Sequence, residues 1–433
     1  MKNILIIGQC SLHWGRMEFG NIGNFYIIEP FIRQLYENLG DINISTTMQM
    51  SNIFCDKENV NVLPIDLYYA WDNDLEKSLV ELSSAEIFSK TGYLPKTTPY
   101  IEAVLKSDLV IDFSGDIWGD NANFLGKDRF LVGLMKDRVA QLLGKPTVML
   151  AGSPGPFNDQ ETKKFAKEVF ENFDLVTNRE TISIDVLKND GFDVSNVKSL
   201  ACPAFLFEPA SGKSVDELLE YEGLADKAKP VVGFVVCGWN FVEGPFDRDP
   251  RSDSEFIQFA AAVEYINNEL GAKVCLMSHS NGFKVPPNIF ELIHGRDYRI
   301  AKQLQKVIDD RGIAKDVFCL DGIYDAWTTK ALISNFDMLV SGRIHGSVAG
   351  LSQMVPTVMI DYGHEPKAHK VRGFADVVGV NEYVADPSEG QDVINKICLC
   401  WNNKGEYRQY LERKIPLVKD VARDNFRSLN KLL

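Results

Sequence analysis

Basic residues are under-represented in this chain: 46 Lys and Arg stand against 60 Asp and Glu over 433 residues, a formal charge of −14. Counterion release on nucleic acid needs a basic face, so general nucleic-acid binding is excluded and no nucleic acid is expected as a partner. Long apolar runs are also missing. Nothing approaches the roughly 20 residues of a membrane span, and Met1-Lys-Asn-Ile-Leu-Ile-Ile-Gly8 is too short for a signal-peptide core with its cleavage site. A cytoplasmic location is the expectation. The eight cysteines include no Cys-x-x-Cys pair, and Cys398-Leu-Cys400 cannot conveniently chelate one metal on a helix or strand. They read as buried reduced thiols. The rare histidines His13, His294, His364 and His369 have no ligand spacing, so neither a metal nor a bound cofactor is expected.

What is present is ordinary globular composition in a chain longer than the roughly 250 to 300 residues at which single cores stop growing. Two domains are therefore expected. Candidate strands Ile4 to Ile7, Val60 to Leu67, Ser107 to Phe113, Pro146 to Ala151 and Asp174 to Asn178 are separated by amphipathic segments such as Phe25 to Leu39 and Thr162 to Phe173. After a polar stretch from Glu208 to Lys229 the alternation restarts at Pro230 to Cys237. It continues with strands near Lys273 to Met277, Asp316 to Cys319, Asp337 to Val340 and Thr357 to Ile360, and with helices Ser254 to Leu270 and Arg299 to Gly312. The pattern predicts an α/β protein of two doubly wound domains, 1–208 and 228–400, followed by a helical tail over 401–433. Two such parallel sheets facing one another leave a cleft, with ligands at the carboxyl ends of the strands.

The most informative run is Ser341-Gly342-Arg343-Ile344-His345, delivered by the apolar strand Phe336 to Val340 and followed by a small-residue helix from Gly346. At such a turn the free N–H groups and the helix dipole add to the two side chains, which suits a phosphate or carboxylate. A structural arginine beside a helix-capping histidine is the alternative that the pair alone leaves open. Other polar loops also end strands: Gly20-Asn21-Ile22-Gly23-Asn24, Ser114-Gly115-Asp116, Ser153-Pro154-Gly155-Pro156 and His279-Ser280-Asn281-Gly282. The glycines serve as turn formers or as close approaches to a ligand. The His279 loop reads either as a sugar-hydroxyl edge or as a plain polar turn.

Taken in order, these segments resemble the polysaccharide pyruvyl transferases. The resemblance rests on Arg343-x-His345, Ala349-Gly350-Leu351, Val355-Pro356, Asp361-Tyr362 and Lys370-x-x-Gly373 downstream. Upstream it rests on Gly20-Asn21-Ile22-Gly23, Gly155-Pro156-Phe157 and Arg179 to Ser183. The chain departs from the family's pattern at Met354, where glycine is commoner, at Asn24, where aspartate is usual, and at Ser114, where a double glycine is typical. The resemblance implies two Rossmann-like domains facing across a cleft in the GT-B arrangement, and transfer of pyruvate from phosphoenolpyruvate, a co-substrate, to a sugar.

That donor carries a phosphate and a carboxylate, so several cations are needed, arginine above all for its fork. The expected donor ligands are Arg179, Arg343, His345, Gly346 and Lys370, with Lys367 as a competitor three residues away. His345 is the acid/base candidate because imidazole titrates near neutrality. Asp116 is a candidate base for an acceptor hydroxyl, with a helix cap or Asx turn as the alternative. Asn21, Gly115, Asp116, His279 and Asn281 are the expected acceptor contacts. Tyr362 reads as packing.

The acceptor itself is expected to be a sugar or a lipid-linked oligosaccharide. The tail from Lys404 places Leu411, Ile415, Val418 and Val421 at helical spacing on a locally basic segment. One reading is a helix packed back on the first domain, and the other a peripheral contact with the inner membrane surface. Two rival functions remain: a nucleotide-sugar-dependent glycosyltransferase of the same fold, for which no acidic pair follows Arg343, and a non-catalytic glycan-binding or assembly protein.

Overall fold

The computed structural model describes residues 1–8, 21–69, 72–226, 228–284, 291–363 and 370–433. Internal contacts divide the chain into two units. One comprises Met1–Met17, Phe31–Cys202 and Val421–Leu433, and the other Glu18–Pro30 and Pro203–Asp420. The single helix Ile22–Leu39, with Pro30 inside it, thus begins in one unit and ends in the other.

The first unit is built on β1 (Lys2–Ile7), β2 (Ile42–Thr46), β3 (Val60–Val62), β4 (Leu109–Asp112), β5 (Thr147–Gly152), β6 (Leu175–Asn178) and β7 (Val197–Ser199). Among the described residues they form one parallel sheet in the order β3-β2-β1-β4-β5-β6-β7. Its central strands are buried throughout, as the unbroken apolar runs of a sheet covered on both faces require. The strand expected over Val60 to Leu67 stops at Val62. Pro64 has no N–H for the ladder, and a 3₁₀ turn, Ile65–Leu67, follows it.

The second unit carries β8 (Val231–Val235), β9 (Lys273–Leu276), β10 (Asn281–Lys284), β11 (Glu291–His294), β12 (Val317–Cys319), β13 (Met338–Ser341), β14 (Thr357–Ile360) and β15 (Val384–Ala385). β10 and β11 pair as a separate antiparallel ribbon, so Asn281 and Gly282 open a strand. The others form a parallel sheet in the order β12-β9-β8-β13-β14-β15. Without the ribbon this is the 3-2-1-4-5-6 order of a dinucleotide-binding sheet, and its direction reverses between β8 and β13. In the first unit the same reversal falls between β1 and β4. Both units are Rossmann-like, and the fold is of the GT-B type with a helical C-terminal tail.

The tail is one helix, Lys404–Arg427, that buries Tyr407, Leu411, Ile415, Val418, Ala422 and Phe426. The buried stripe turns to Ala422, and Val421, expected on the apolar face, is 36% exposed. In the second unit the Tyr407 and Tyr410 hydroxyls donate to the carbonyls of Thr357 (3.2 Å) and Val378 (2.8 Å). In the first, Asn425 accepts from Thr177 Oγ1 (2.6 Å) and donates to the Ala201 carbonyl (2.9 Å), and Phe426 meets Phe31 edge-on at 5.2 Å. Among the described residues no helix is long and apolar enough to cross a membrane. The seven described cysteines are free thiols, of which Cys55 and Cys398 are only half-buried.

Candidate active site

In the second unit the reversal point carries the Arg-x-His turn. β13 ends at Ser341, Arg343 is the N-cap residue in extended conformation (φ −111°, ψ 126°), and the helix Ile344–Leu351 follows. Its first-turn N–H groups have no acceptors within the helix, and the side chain of the N-cap residue Arg343 makes no capping bond to them. Ser341 holds the turn, its hydroxyl donating to the Arg343 carbonyl (3.0 Å) and accepting from the Arg343 N–H (3.3 Å). Gly346 lies so close to this turn that a Cβ on it would be 2.7 Å from Ser341 Oγ and 3.4 Å from His279 Cδ2.

The three strands that meet here are tied by Asn240, a fully buried residue that the sequence reading passed over. Its Oδ1 accepts from the Cys237 N–H (2.8 Å), and its Nδ2 lies within reach of the carbonyls of Gly342 (3.1 Å), Asp361 (3.2 Å) and Ile360 (3.3 Å). One side chain thus fixes the carboxyl ends of β8, β13 and β14 against each other. Only glycine fits opposite it: a Cβ on Gly342 would stand 1.9 Å from Asn240 Oδ1.

Arg343 does not offer its whole fork. Its Nε donates to Asp297 Oδ2 (2.9 Å) and its Nη2 to Asp297 Oδ1 (2.5 Å). Asp297 belongs to the first turn of the helix Arg296–Arg311 and is 0% exposed, whereas the arginine side chain keeps 17% exposure. Burial by itself would lower the proton affinity of the guanidinium, but the Asp297 carboxylate outweighs it and drives the affinity up. Arg343, expected as a donor ligand, is thus also one half of a buried ion pair.

His279, expected at an acceptor edge, is fully buried instead. Its ring meets Tyr26 edge-on at 5.4 Å, and neither imidazole nitrogen finds a hydrogen-bond partner among the described residues. Burial and then the Arg343 charge push its pKa down to about 3, against an opposing pull from Asp297, so it is neutral near pH 7. Cys237, whose thiol donates to the Gly342 carbonyl (3.1 Å), is pushed up to about 11, chiefly by burial.

His345 is half-buried on the first turn of its helix, with its ring edge-on to Phe374 at 5.8 Å. Against it lies Gly23, from the N-terminal part of the chain. Asn21, expected to touch acceptor, caps the helix there: its Oδ1 accepts from the Gly23 N–H (3.1 Å), and its backbone bridges Ser280. Asn281 donates to the Tyr324 carbonyl (2.8 Å). Lys370 opens the helix Lys370–Val378 and is buried. Lys367, like His13, His364, His369 and Gly20, lies outside the described residues. Tyr362 packs beside Trp239 at 5.9 Å, and Asp361 pairs with Arg372 Nε at 2.8 Å, its carboxyl pushed up to about 6 by burial.

The first unit brings together its own set. Arg179 is buried at the end of β6, its Nε donating to Ser153 Oγ (3.2 Å) and its Nη2 standing 3.6 Å from Asp116 Oδ1. Ser153 also donates to Glu180 Oε1 (2.9 Å), while Glu180 Oε2 accepts from the Ser183 N–H (3.0 Å). Asp116 thus meets an arginine as well as solvent, with 31% of its side chain exposed. Gly115 beside it needs its glycine, having φ +61°, whereas Ser114 is right-handed and uses its hydroxyl and N–H to donate to Asp112 (2.8 Å each). Serine is therefore at home where the family prefers glycine. Burial drives the carboxyls of Asp112 and its neighbour Asp137 upward, so this pair shares a proton near neutral pH. Among the described residues no cluster of His, Cys, Asp and Glu is arranged to hold a metal ion.

Comparison with known proteins bears on the family and the fold. The sequence signature of the polysaccharide pyruvyl transferases matches residues 21–364. The amylovoran biosynthesis protein AmsJ of Erwinia amylovora is 22% identical over 418 residues, 93% of this chain and 94% of that protein. Among solved structures, HepE of Anabaena in complex with UDP and glucose aligns with a TM-score of 0.58 at 14% identity, covering 100% of this chain and 98% of that one. A glycosyltransferase of Rickettsia africae gives 0.60 at 10% identity over 99% of each chain. UDP-GlcNAc 2-epimerase of Neisseria meningitidis gives 0.56 at 10% identity over 100% of each. At these identities the structural likeness concerns the fold.

Proposed function

The chain belongs to the polysaccharide pyruvyl transferase family, and from that premise we propose that it moves pyruvate from phosphoenolpyruvate to two hydroxyls of one sugar. The product is a cyclic ketal on a cell-surface polysaccharide or its lipid-linked precursor, with phosphate released. A proton is added to the donor's methylene carbon and one sugar hydroxyl attacks the adjacent carbon. The C–O bond to phosphate breaks, and the second hydroxyl closes the ring with loss of its proton. Two hydroxyl protons leave oxygen; one enters the new methyl group and the other departs on the released hydrogen phosphate, so the balance needs a group that both gives and takes protons.

The observation that carries this reading is the placement of Arg343 at the N-cap and His345 on the first turn of a helix at the sheet's reversal point. The N–H groups, the dipole and the remaining guanidinium edge suit the phosphate and carboxylate of the donor. His345 is the proposed proton carrier, and the buried Lys370 a further cation for the departing phosphate. In the first unit, Arg179 and Asp116 remain the candidates for anion contact and for acceptor deprotonation. No cofactor enters this scheme. The protein works at the cytoplasmic side on a soluble or lipid-linked saccharide, and the buried apolar face of the tail helix favours packing over membrane contact.

The test is incubation with phosphoenolpyruvate and a panel of glycosides and lipid-linked saccharides, with phosphate release followed alongside mass spectrometry of the acceptor. A pyruvate adduct formed in step with phosphate is the expected result. Cleavage of a nucleotide sugar with no adduct on any acceptor would overturn the reading.

A further inference from the structure

A guanidinium has two hydrogen-bonding edges, Nε/Nη2 and Nη1/Nη2, and Arg343 spends the first on Asp297. On the second edge Nη1 has no partner among the described residues, and the arginine side chain keeps 17% exposure while Asp297 has none. The pair is walled by the buried, neutral His279 and by the buried Cys237. Asp297 is itself anchored. It sits in the first turn of a 16-residue helix, and its N–H donates to Ser280 Oγ at 3.4 Å. The carboxylate subtracts charge from an anion site, which weakens attraction, but it fixes the plane of the guanidinium before any ligand arrives.

We propose that Asp297 is the positioning residue of the donor site, holding Arg343 by one edge so that the other meets the donor's phosphate or carboxylate in a fixed orientation. This rests on the reading of Arg343 as a donor ligand. Asp297 touches no substrate and acts through the arginine.

The charge and the orientation separate in Asp297→Asn. That side chain still accepts one bond but no longer offsets the guanidinium, so the arginine becomes a stronger but looser cation. Calorimetric binding of inorganic phosphate and of phosphoenolpyruvate, set beside single-turnover phosphate release, reads the two effects apart. We expect D297N to bind both anions as tightly as wild type or up to about tenfold tighter, and to turn over at least about tenfold more slowly. Asp297→Glu, which restores the charge on a longer arm, should recover part of the rate. A purely structural role would lower affinity, rate and melting temperature together in both variants.

Wild-type turnover in D297N, or a fall of about tenfold or more in its phosphate affinity, would overturn the proposal. A wild-type protein that releases no phosphate with any acceptor would defeat the proposed function instead. The binding arm then still decides: retained or tightened phosphate affinity in D297N supports the proposal, and loss of that affinity overturns it.

Discussion

Gly23 and His345 are in such close contact that a Cβ on the glycine would lie 2.6 Å from both Cβ and Nδ1 of the imidazole. Real Cβ atoms do not approach so closely, so the glycine keeps a place open for this one ring. Two motifs more than 300 residues apart in the sequence are thereby parts of one site.

Gly23→Ala should push His345 out of its position. A loss of about 1–3 kcal/mol in stability is expected from overpacking, with a fall of at least about tenfold in phosphate release. Thermal unfolding and a turnover assay check both, and wild-type turnover in G23A would detach the glycine from the site.

Arg343→Ala and His345→Ala should differ in kind. The histidine change should slow the chemical step by about a hundredfold or more while donor affinity holds and the fold stays near wild-type stability. The arginine change should weaken donor binding and also cost about 3–5 kcal/mol, because it strands the Asp297 carboxylate without its partner at 0% exposure. Titration calorimetry and urea unfolding distinguish them. Equal stabilities for the two variants would mean that the Asp297 pair contributes nothing to the fold.

Acid stability should depend on His279. Its folded pKa of about 3 lies below the roughly 6.5 of an unfolded histidine, so the unfolded chain binds the extra proton. The contribution is complete above about pH 6.5 and is lost as pH falls toward 3, amounting to a few kcal/mol at most. The Asp112–Asp137 pair has the opposite sign. Its raised carboxyl pKa makes the folded state the tighter proton binder, so its contribution is full below about pH 4 and fades as pH rises through neutrality. Denaturation midpoints of His279→Gln and Asp112→Asn across pH 3 to 8 should flatten opposite limbs of the profile, and unchanged limbs would contradict these assignments.

Met354 has φ +59°, a left-handed conformation that costs a side chain about 1–2 kcal/mol. Met354→Gly should therefore be neutral or stabilising by up to about 1 kcal/mol, against the usual sign for a glycine substitution. A destabilisation above about 1 kcal/mol in chemical unfolding would show that the methionine's packing outweighs its strain.

The strand-to-helix turn at Arg343 was legible because an apolar parallel strand followed at once by Arg-x-His leaves little choice of geometry. The departure at Met354 was legible too, and its backbone now explains why glycine is the commoner residue. Asp297 was not legible: it stands 46 positions before Arg343, where an acidic residue in a first turn reads as ordinary helix-dipole chemistry. Asn240 was hidden likewise, since nothing in Cys237-Gly-Trp-Asn240 announces a side chain bonded to three strand ends. His279 was seen but placed in the wrong surroundings, because sequence gives polarity and not burial. The edge strands β7 and β15 span only three and two residues and carry too little alternation to be read.

The helix Ile22–Leu39 makes the two halves unequal heirs of the chain. Expression of residues 1–202 alone would carry Gly23 away from His345, while a piece beginning at 203 would leave that ring facing a gap. Exchange of whole halves between relatives at the linker would likewise combine a foreign glycine loop with a resident Arg-x-His turn. Hybrids that also move residues 18–30 with the second half keep the contact intact, so compatibility between relatives is set by a short N-terminal segment far from the point of joining.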